Sequence, residues 1–329
     1  MRNYKAIPKI ELHCHLDGSL NMKLIKEEMA RVGRNYSLEE LKTLVTAPEE
    51  CPSLVEYLSR FDIPLDCVQD RDFLRHAAYR LAMDAAEENV VYLEVRYAPV
   101  TALRGGMTLG ETMEEVEAGL AQARKESGIE TGIICCGMRH LPMEENLAMV
   151  EAVKTHMDKG VVACDLAGDE QGFPNRLFTE YFAACRKADI PLTLHAGEQG
   201  SKENIRVAVE AGAKRVGHGI AMGGDKELIE LCRSHKVGAE MCPTSNFQTK
   251  ACTSWEQYPL KEFMDAGLLF NLNTDNRTVS GTNMEKELEI VDKFYKLTDN
   301  QMETIYRNSV EMAFVGDACK AELLKKWKI

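Results

Sequence analysis

The feature that most restricts the fold of this chain is an alternation. Apolar runs rich in Val, Ile and Leu are each followed by an amphipathic or charged stretch of helical period. The runs fall at residues 90–98, 130–138, 161–167, 191–195, 215–219, 238–242 and 268–274, and the helical stretches between them at 109–126, 143–159, 176–188, 202–211, 225–234 and 259–266. A further strand is expected just before His15, which brings the number to eight. Strands of nearly continuous apolar character belong in a parallel sheet covered on both faces. Eight such units predict an α/β fold of the (β/α)8, TIM-barrel type.

An open doubly wound sheet is the competing arrangement, and it usually carries a Gly-rich phosphate turn after its first strand. Here that position holds His13-Cys-His15, and neither G-x-G-x-x-G nor G-x-x-x-x-G-K-[ST] occurs. No Pro/Gly-rich or low-complexity linker divides the 329 residues, so one domain over 1–329 is expected, with additional helices. Those include 22–32, capped by Ser19 or Asn21, then 70–88, 284–295 and 301–326; residues 33–53 read as polar and irregular. Leu54, Tyr57, Leu58 and Phe61 fall at i, i+3, i+4 and i+7, an apolar stripe on one helix, which by itself reads as core packing.

Composition narrows the partners. With 45% hydrophobic and 28% charged residues the chain can bury a sizeable core, and a formal net charge of −12 disfavours nucleic acid and anionic membrane surfaces, both polyanions. A small-molecule ligand fits better. Eleven cysteines without a C-x-x-C pair suggest neither a disulfide framework nor a cysteine zinc site, and point to reducing conditions. No apolar signal core and no run of 18 apolar residues is present, so the cytoplasm is the expected location. No feature fixes an oligomeric state.

The chemistry collects at the strand ends, where barrels of this kind place their active sites. The first strand ends in His13, His15 and Asp17; later ends read Asp165-Leu-Ala-Gly-Asp169, His195-Ala-Gly-Glu198, Gly217-His218-Gly219, Cys242-Pro-Thr-Ser-Asn246 and Asn273-Thr-Asp-Asn276. His13 and His15, two apart on a strand, project to the same side. Taken singly, His218 reads as a hydrogen-bonded structural residue and Asp275 as a turn cap. Together, three imidazoles and a carboxylate make a nitrogen and oxygen set suited to zinc with water in the remaining position. A metal so held lowers the pKa of its water towards neutrality.

As a set, His13-Cys-His15-Leu-Asp-Gly-Ser, Asp165-Leu-Ala-Gly-Asp-Glu170, His195-Ala-Gly-Glu198, Gly217-His218-Gly219 and Asn273-Thr-Asp275 resemble the motifs of the adenosine deaminase family of metal-dependent hydrolases, in order from Pro8 to about Glu285. The resemblance implies hydrolytic replacement of a purine 6-amino group, converting adenosine to inosine and ammonia, with 2′-deoxyadenosine as a second substrate. It implies one zinc ion per chain on His13, His15, His195 and Asp275. His218 would orient the attacking water and help take its proton, with Asp275 assisting, while Glu198 would protonate ring N1. Gly168 would offer its N–H to ring N3, and Asp17 would hold the ribose 5′-hydroxyl. Leu54, Tyr57, Leu58 and Phe61 match the family's apolar lid. Where many members have Asp-Asp, this chain has Asp275-Asn276, and Asn276 offers an amide donor to purine N7.

The role given to Glu198 has an independent warrant. Attack at C6 puts negative charge on the ring at N1, so an acid there stabilises the transition state and must hold its proton when substrate is bound. Alternative substrates are free adenine, a modified adenosine and aminodeoxyfutalosine; Asp17 and the apolar lid favour a nucleoside over the free base. A barrel kept only for binding should have lost a metal ligand, His218 or the acid, and none of the six is missing. The small zinc class of nucleic-acid base deaminases needs H-x-E with P-C-x-x-C; Cys242-Pro243 has the wrong order.

Overall fold

A computed structural model describes residues 2–52 and 54–328; the side chains of Leu54 and Val55 also lie outside the description. Among the described residues there are eight strands: β1 (Lys9–His15), β2 (Val90–Tyr97), β3 (Glu130–Met138), β4 (Val161–Ala167), β5 (Thr193–Ala196), β6 (Arg215–His218), β7 (Gly238–Met241) and β8 (Phe270–Leu272). All neighbouring pairs from β1 to β4 and from β5 to β8 are parallel. The two seams are single bridges, Cys164 with Leu192 and Cys14 with Asp275. At the second seam the His15 N–H donates to the Asp275 carbonyl at 2.7 Å and the Asp275 N–H to the His13 carbonyl at 2.9 Å. That closes the ring as the alternation required, and it places Asp275 beside the two histidines of β1.

The strands are buried along almost their whole length, as expected when helices cover the outside and side chains fill the inside. The filling is not all aliphatic. Glu94 and Arg96 of β2, Asp165 of β4, Arg215 of β6 and Glu240 of β7 are all fully buried.

Several expected elements differ in detail. Residues 33–53 are not irregular throughout: Leu38–Val45 is helical. Its start is a capping box in which Ser37 accepts from the Glu40 N–H while Glu40 accepts from that of Ser37, and Leu41 and Val45 are buried beneath it. The apolar stripe is not one helix. Leu54–Leu58 is helical, Ser59–Phe61 is a tighter 3-10 turn, and Asp62–Cys67 is helical again. Pro64 at the third position of the last piece lacks the N–H that a continuous helix would bond backwards, so the stripe breaks before it. Residues 301–326 likewise split into Asp299–Met312 and Asp317–Leu324, the second capped at Gly316. Among the described residues no helix is long and apolar enough to cross a membrane.

Candidate functional site

At the C-terminal end of the barrel, His13, His195, His218 and Asp275 each offer one ligand atom, all within 4.8 Å of one another. His15 joins them, its Nε2 3.3 Å from His195 Nε2 and 3.5 Å from Asp275 Oδ1. Five of the residues singled out in the sequence therefore converge on one point. Two are held in the left-handed backbone region, His218 at φ 64° and Asp275 at φ 61°. That conformation costs a non-glycine residue about 1 kcal/mol, and such strain gathers at functional sites.

The group has the character of a metal site. His13 is fully buried, yet its Nε2 has no hydrogen-bond partner and lies 3.3 Å from Asp275 Oδ1. An imidazole nitrogen sealed from water without a partner is costly unless a cation takes its lone pair. The opposite nitrogens are fixed from behind: His13 Nδ1 lies 2.8 Å from Glu240 Oε2 and His195 Nδ1 2.8 Å from Asp165 Oδ2. Burial pushes His13 and His15 below the ordinary histidine pKa, towards the neutral form that binds metal. Burial alone would raise Asp275, but the closeness of His13 and the surrounding imidazoles holds it well below the usual carboxylate range.

Beneath these residues lies the ionic network of the barrel interior. Arg96 donates to Asp165 Oδ2 at 2.9 Å and to Glu240 Oε2 at 2.8 Å. Arg215 donates to Glu240 Oε1 at 2.6 Å and also pairs with Glu94. Burial by itself would raise Glu240, but Arg96 and Arg215 hold it well below the carboxylate range. The sequence reading missed Arg96, Arg215 and Glu240. The available signal was charge inside apolar strands, as in Val90-Val-Tyr-Leu-Glu-Val-Arg-Tyr97. It also passed over Ser245, which donates to Asp275 Oδ2 at 2.6 Å, and Asn246, 2.9 Å from His218 Nδ1. Both stand on a short helix, Pro243–Gln248, that was read as a strand end.

Above the histidines opens a cavity of about 420 Å³, lined among others by Asp17, Gly168, Glu198, His218, Asp275 and Asn276. Its volume is that of a small-molecule site. Glu198 Oε2 lies 3.7 Å from His218 Nε2. The buried carboxylate of Glu170 accepts the backbone N–H groups of Gly197 and Gln199, on either side of Glu198. Gly168 has φ 104°, a conformation closed to side-chain-bearing residues. Asp17 accepts from the Gly18 N–H at 3.1 Å, and burial pushes its carboxyl up to about 6. Asn276 donates through Nδ2 to the Tyr57 hydroxyl at 3.0 Å. A Cβ on Gly18 would come within 1.8 Å of Asn276 Oδ1, so that glycine makes room for the amide.

The apolar stripe meets the cavity unevenly. Tyr57 is buried, its hydroxyl 2.7 Å from Ser280 Oγ. Leu58, 46% exposed, and Phe61 line the mouth. The Leu54 side chain lies outside the described residues.

The family model described as adenosine deaminase matches residues 8–328. The chain is 40% identical over 324 residues to an adenosine deaminase of Enterococcus faecalis, which covers 98% of this chain and 96% of that one. Two solved structures share the fold: an amidohydrolase with bound Zn from Burkhoderia ambifaria, at TM-score 0.89 and 24% identity, covering 98% of this chain and 90% of that one, and an adenine deaminase from Arthrobacter aurescens, at TM-score 0.89 and 24% identity, covering 97% and 98%. With the motifs in order and the match spanning nearly every residue, the chain belongs to the adenosine deaminase family.

Proposed function

We propose that the chain, acting as one domain over residues 1–329 in the cytoplasm, deaminates adenosine, and 2′-deoxyadenosine, to inosine and ammonia. The observation that carries this reading is the meeting, in one small cavity, of a histidine and carboxylate cluster with a second carboxyl group, Glu198, 3.7 Å from His218. His13, His15, His195 and Asp275 would hold one zinc ion. When bound, it supplies the Lewis acidity that makes hydroxide available near neutral pH.

The chain's own groups do the rest. Glu198 presents its proton to ring N1, where charge develops as water adds at C6. His218, across from it, sets the position of the attacking water, and Asp275 stands beside that position to receive a proton. The Gly168 N–H faces ring N3, Asn276 faces N7, and Asp17 holds the ribose 5′-hydroxyl. Tyr57, Leu58 and Phe61, which line the cavity, shield the purine from water. Purine and ribose together use both ends of the cavity, which favours a nucleoside over a free base.

The test is the ultraviolet spectrum of adenosine, with adenine in a parallel cuvette, on addition of purified protein. A shift to the inosine spectrum that disappears after metal is stripped and returns with zinc is the expected result. A response to adenine alone would sink the nucleoside reading.

A further inference from the structure

The ring nitrogens of the clustered histidines do not all have the same kind of partner. The nitrogens of His13 and His195 that point away from the centre each face a carboxylate, Glu240 and Asp165, at 2.8 Å. A carboxylate only accepts, so each of these rings keeps its proton at Nδ1 and turns a lone pair at Nε2 inwards. That is the form a metal ligand needs. His218 differs. Its Nδ1 lies 2.9 Å from the side-chain amide of Asn246.

An amide can be turned end for end, so the atom facing the ring has to be argued from its other end. There, Asn246 Oδ1 accepts from the backbone N–H of Cys242 at 3.4 Å and from the Tyr258 hydroxyl at 3.2 Å. The Cys242 N–H is a donor that cannot reverse its role. Turned over, the amide would set its own N–H2 against that donor, in a site where Asn246 is fully buried and shut off from solvent. Nδ2 therefore faces His218 and donates to it. An imidazole that accepts at Nδ1 carries its proton on Nε2. A ring protonated at both nitrogens would set N–H against N–H.

We propose that Asn246 is a positioning residue that fixes the tautomer of His218 with the proton on Nε2, so that His218 donates a hydrogen bond to the attacking oxygen and stays outside the metal's ligand set. Distance alone admits His218 to that set, since its ligand atom lies within 4.8 Å of those of His13, His195 and Asp275. A nitrogen that bears hydrogen has no lone pair to give, which leaves the place to His15. The same proton makes His218 a donor in the chemistry, so the share in taking the water's proton that the family resemblance implied for it passes to Asp275. The catalytic part of the proposal rests on the deaminase reading; the tautomer does not.

The experiment is a long-range proton–nitrogen correlation spectrum of the zinc-loaded protein labelled with 15N-histidine, with His218 assigned by its loss in His218→Gln. The expected spectrum has His218 protonated at Nε2 and bare at Nδ1; the reverse pattern overturns the proposal. Asn246→Asp offers an oxygen acceptor to the ring and is expected to move the proton to Nδ1, with kcat falling roughly 100-fold, as for loss of one donor aimed at developing charge, and KM little changed. An unchanged tautomer in that variant, or an unchanged kcat with the tautomer switched, also overturns it. If Asn246→Asp does not fold, the wild-type spectrum decides alone. Because the spectrum is read without any purine, failure of the deaminase reading would show separately, as absence of inosine with the tautomer in place.

Discussion

The floor of the cavity and its mouth are built in opposite ways. The floor is ionic and sealed: Glu94, Arg96, Asp165, Arg215 and Glu240 are fully buried, and each is paired across strands. The mouth is apolar and open: Leu58 stands 46% exposed, and Phe61 is half-buried and tilted towards Tyr57 at 6.3 Å. Buried ion pairs gain little net stability over apolar packing, because desolvation cancels most of the attraction. They do hold groups in one geometry. The floor thus supports His13 and His195 from behind at fixed distances, while the mouth supplies contact area that tolerates small movements. Damage to the floor should appear in chemistry, metal retention and stability together. Damage to the mouth should appear in substrate affinity alone.

The largest effect is expected where the floor's order reaches the substrate. Glu198 is held from both sides, because Glu170 takes the N–H groups of Gly197 and Gln199. Glu198→Gln keeps the shape and removes the proton. Its kcat should fall by roughly 100- to 10,000-fold, the range that general acid catalysis supplies, with ligand binding and zinc content retained. Near-normal kcat in steady-state assays would remove Glu198 from the acid role.

A smaller effect on turnover, but a wider one, is expected from Glu240→Gln. Glu240 meets His13, Arg96 and Arg215 and also accepts from Thr193. Losing its charge leaves two buried guanidinium groups short of a partner, a change that costs about 3–5 kcal/mol. It also replaces the charged acceptor that orients His13 with a neutral amide, and the loss of such outer support typically weakens metal affinity about 10- to 100-fold. Thermal unfolding and a zinc competition titration should both move. If stability falls and zinc affinity does not, the floor is a scaffold and not a support for the metal site.

The same contrast explains how far the sequence could be read. The barrel was legible because strand after strand is apolar and its helices keep a 3.6-residue period. Most of the histidine and carboxylate cluster was legible because strand ends are points where the chain must turn and expose side chains. The floor was harder, since a charge inside a strand says only that something pairs with it, and Arg96, Asp165 and Glu240 are brought together by barrel closure across positions about 70 to 145 apart in sequence. Register of that kind is a property of the closed ring. The mouth misled for another reason. The four apolar residues of the stripe do have helical spacing, but the helix ends at Leu58, a 3-10 turn and Pro64 follow, and of the two neighbours at its end Tyr57 turns inwards to Ser280 and Asn276 while Leu58 stays out.

That split sets the smallest prediction. Phe61 lines the cavity, and covering roughly 40 Å² of apolar surface is worth about 1 kcal/mol at ~25 cal/mol per Å². Phe61→Ala should therefore raise KM for adenosine about fivefold, a figure that follows from ~1.4 kcal/mol per tenfold change. Its kcat and zinc affinity should match the wild type, and unfolding should shift little, because the residue is only half-buried and carries no paired charge. Adenine, which has no ribose, fills less of the cavity, and comparing its binding with that of adenosine locates the contact. Equal losses for both would put Phe61 against the purine, and a loss confined to adenosine would put it against the sugar. A fall in kcat or zinc content as large as that of Glu240→Gln would break the division, because the mouth would then also be shaping the chemistry.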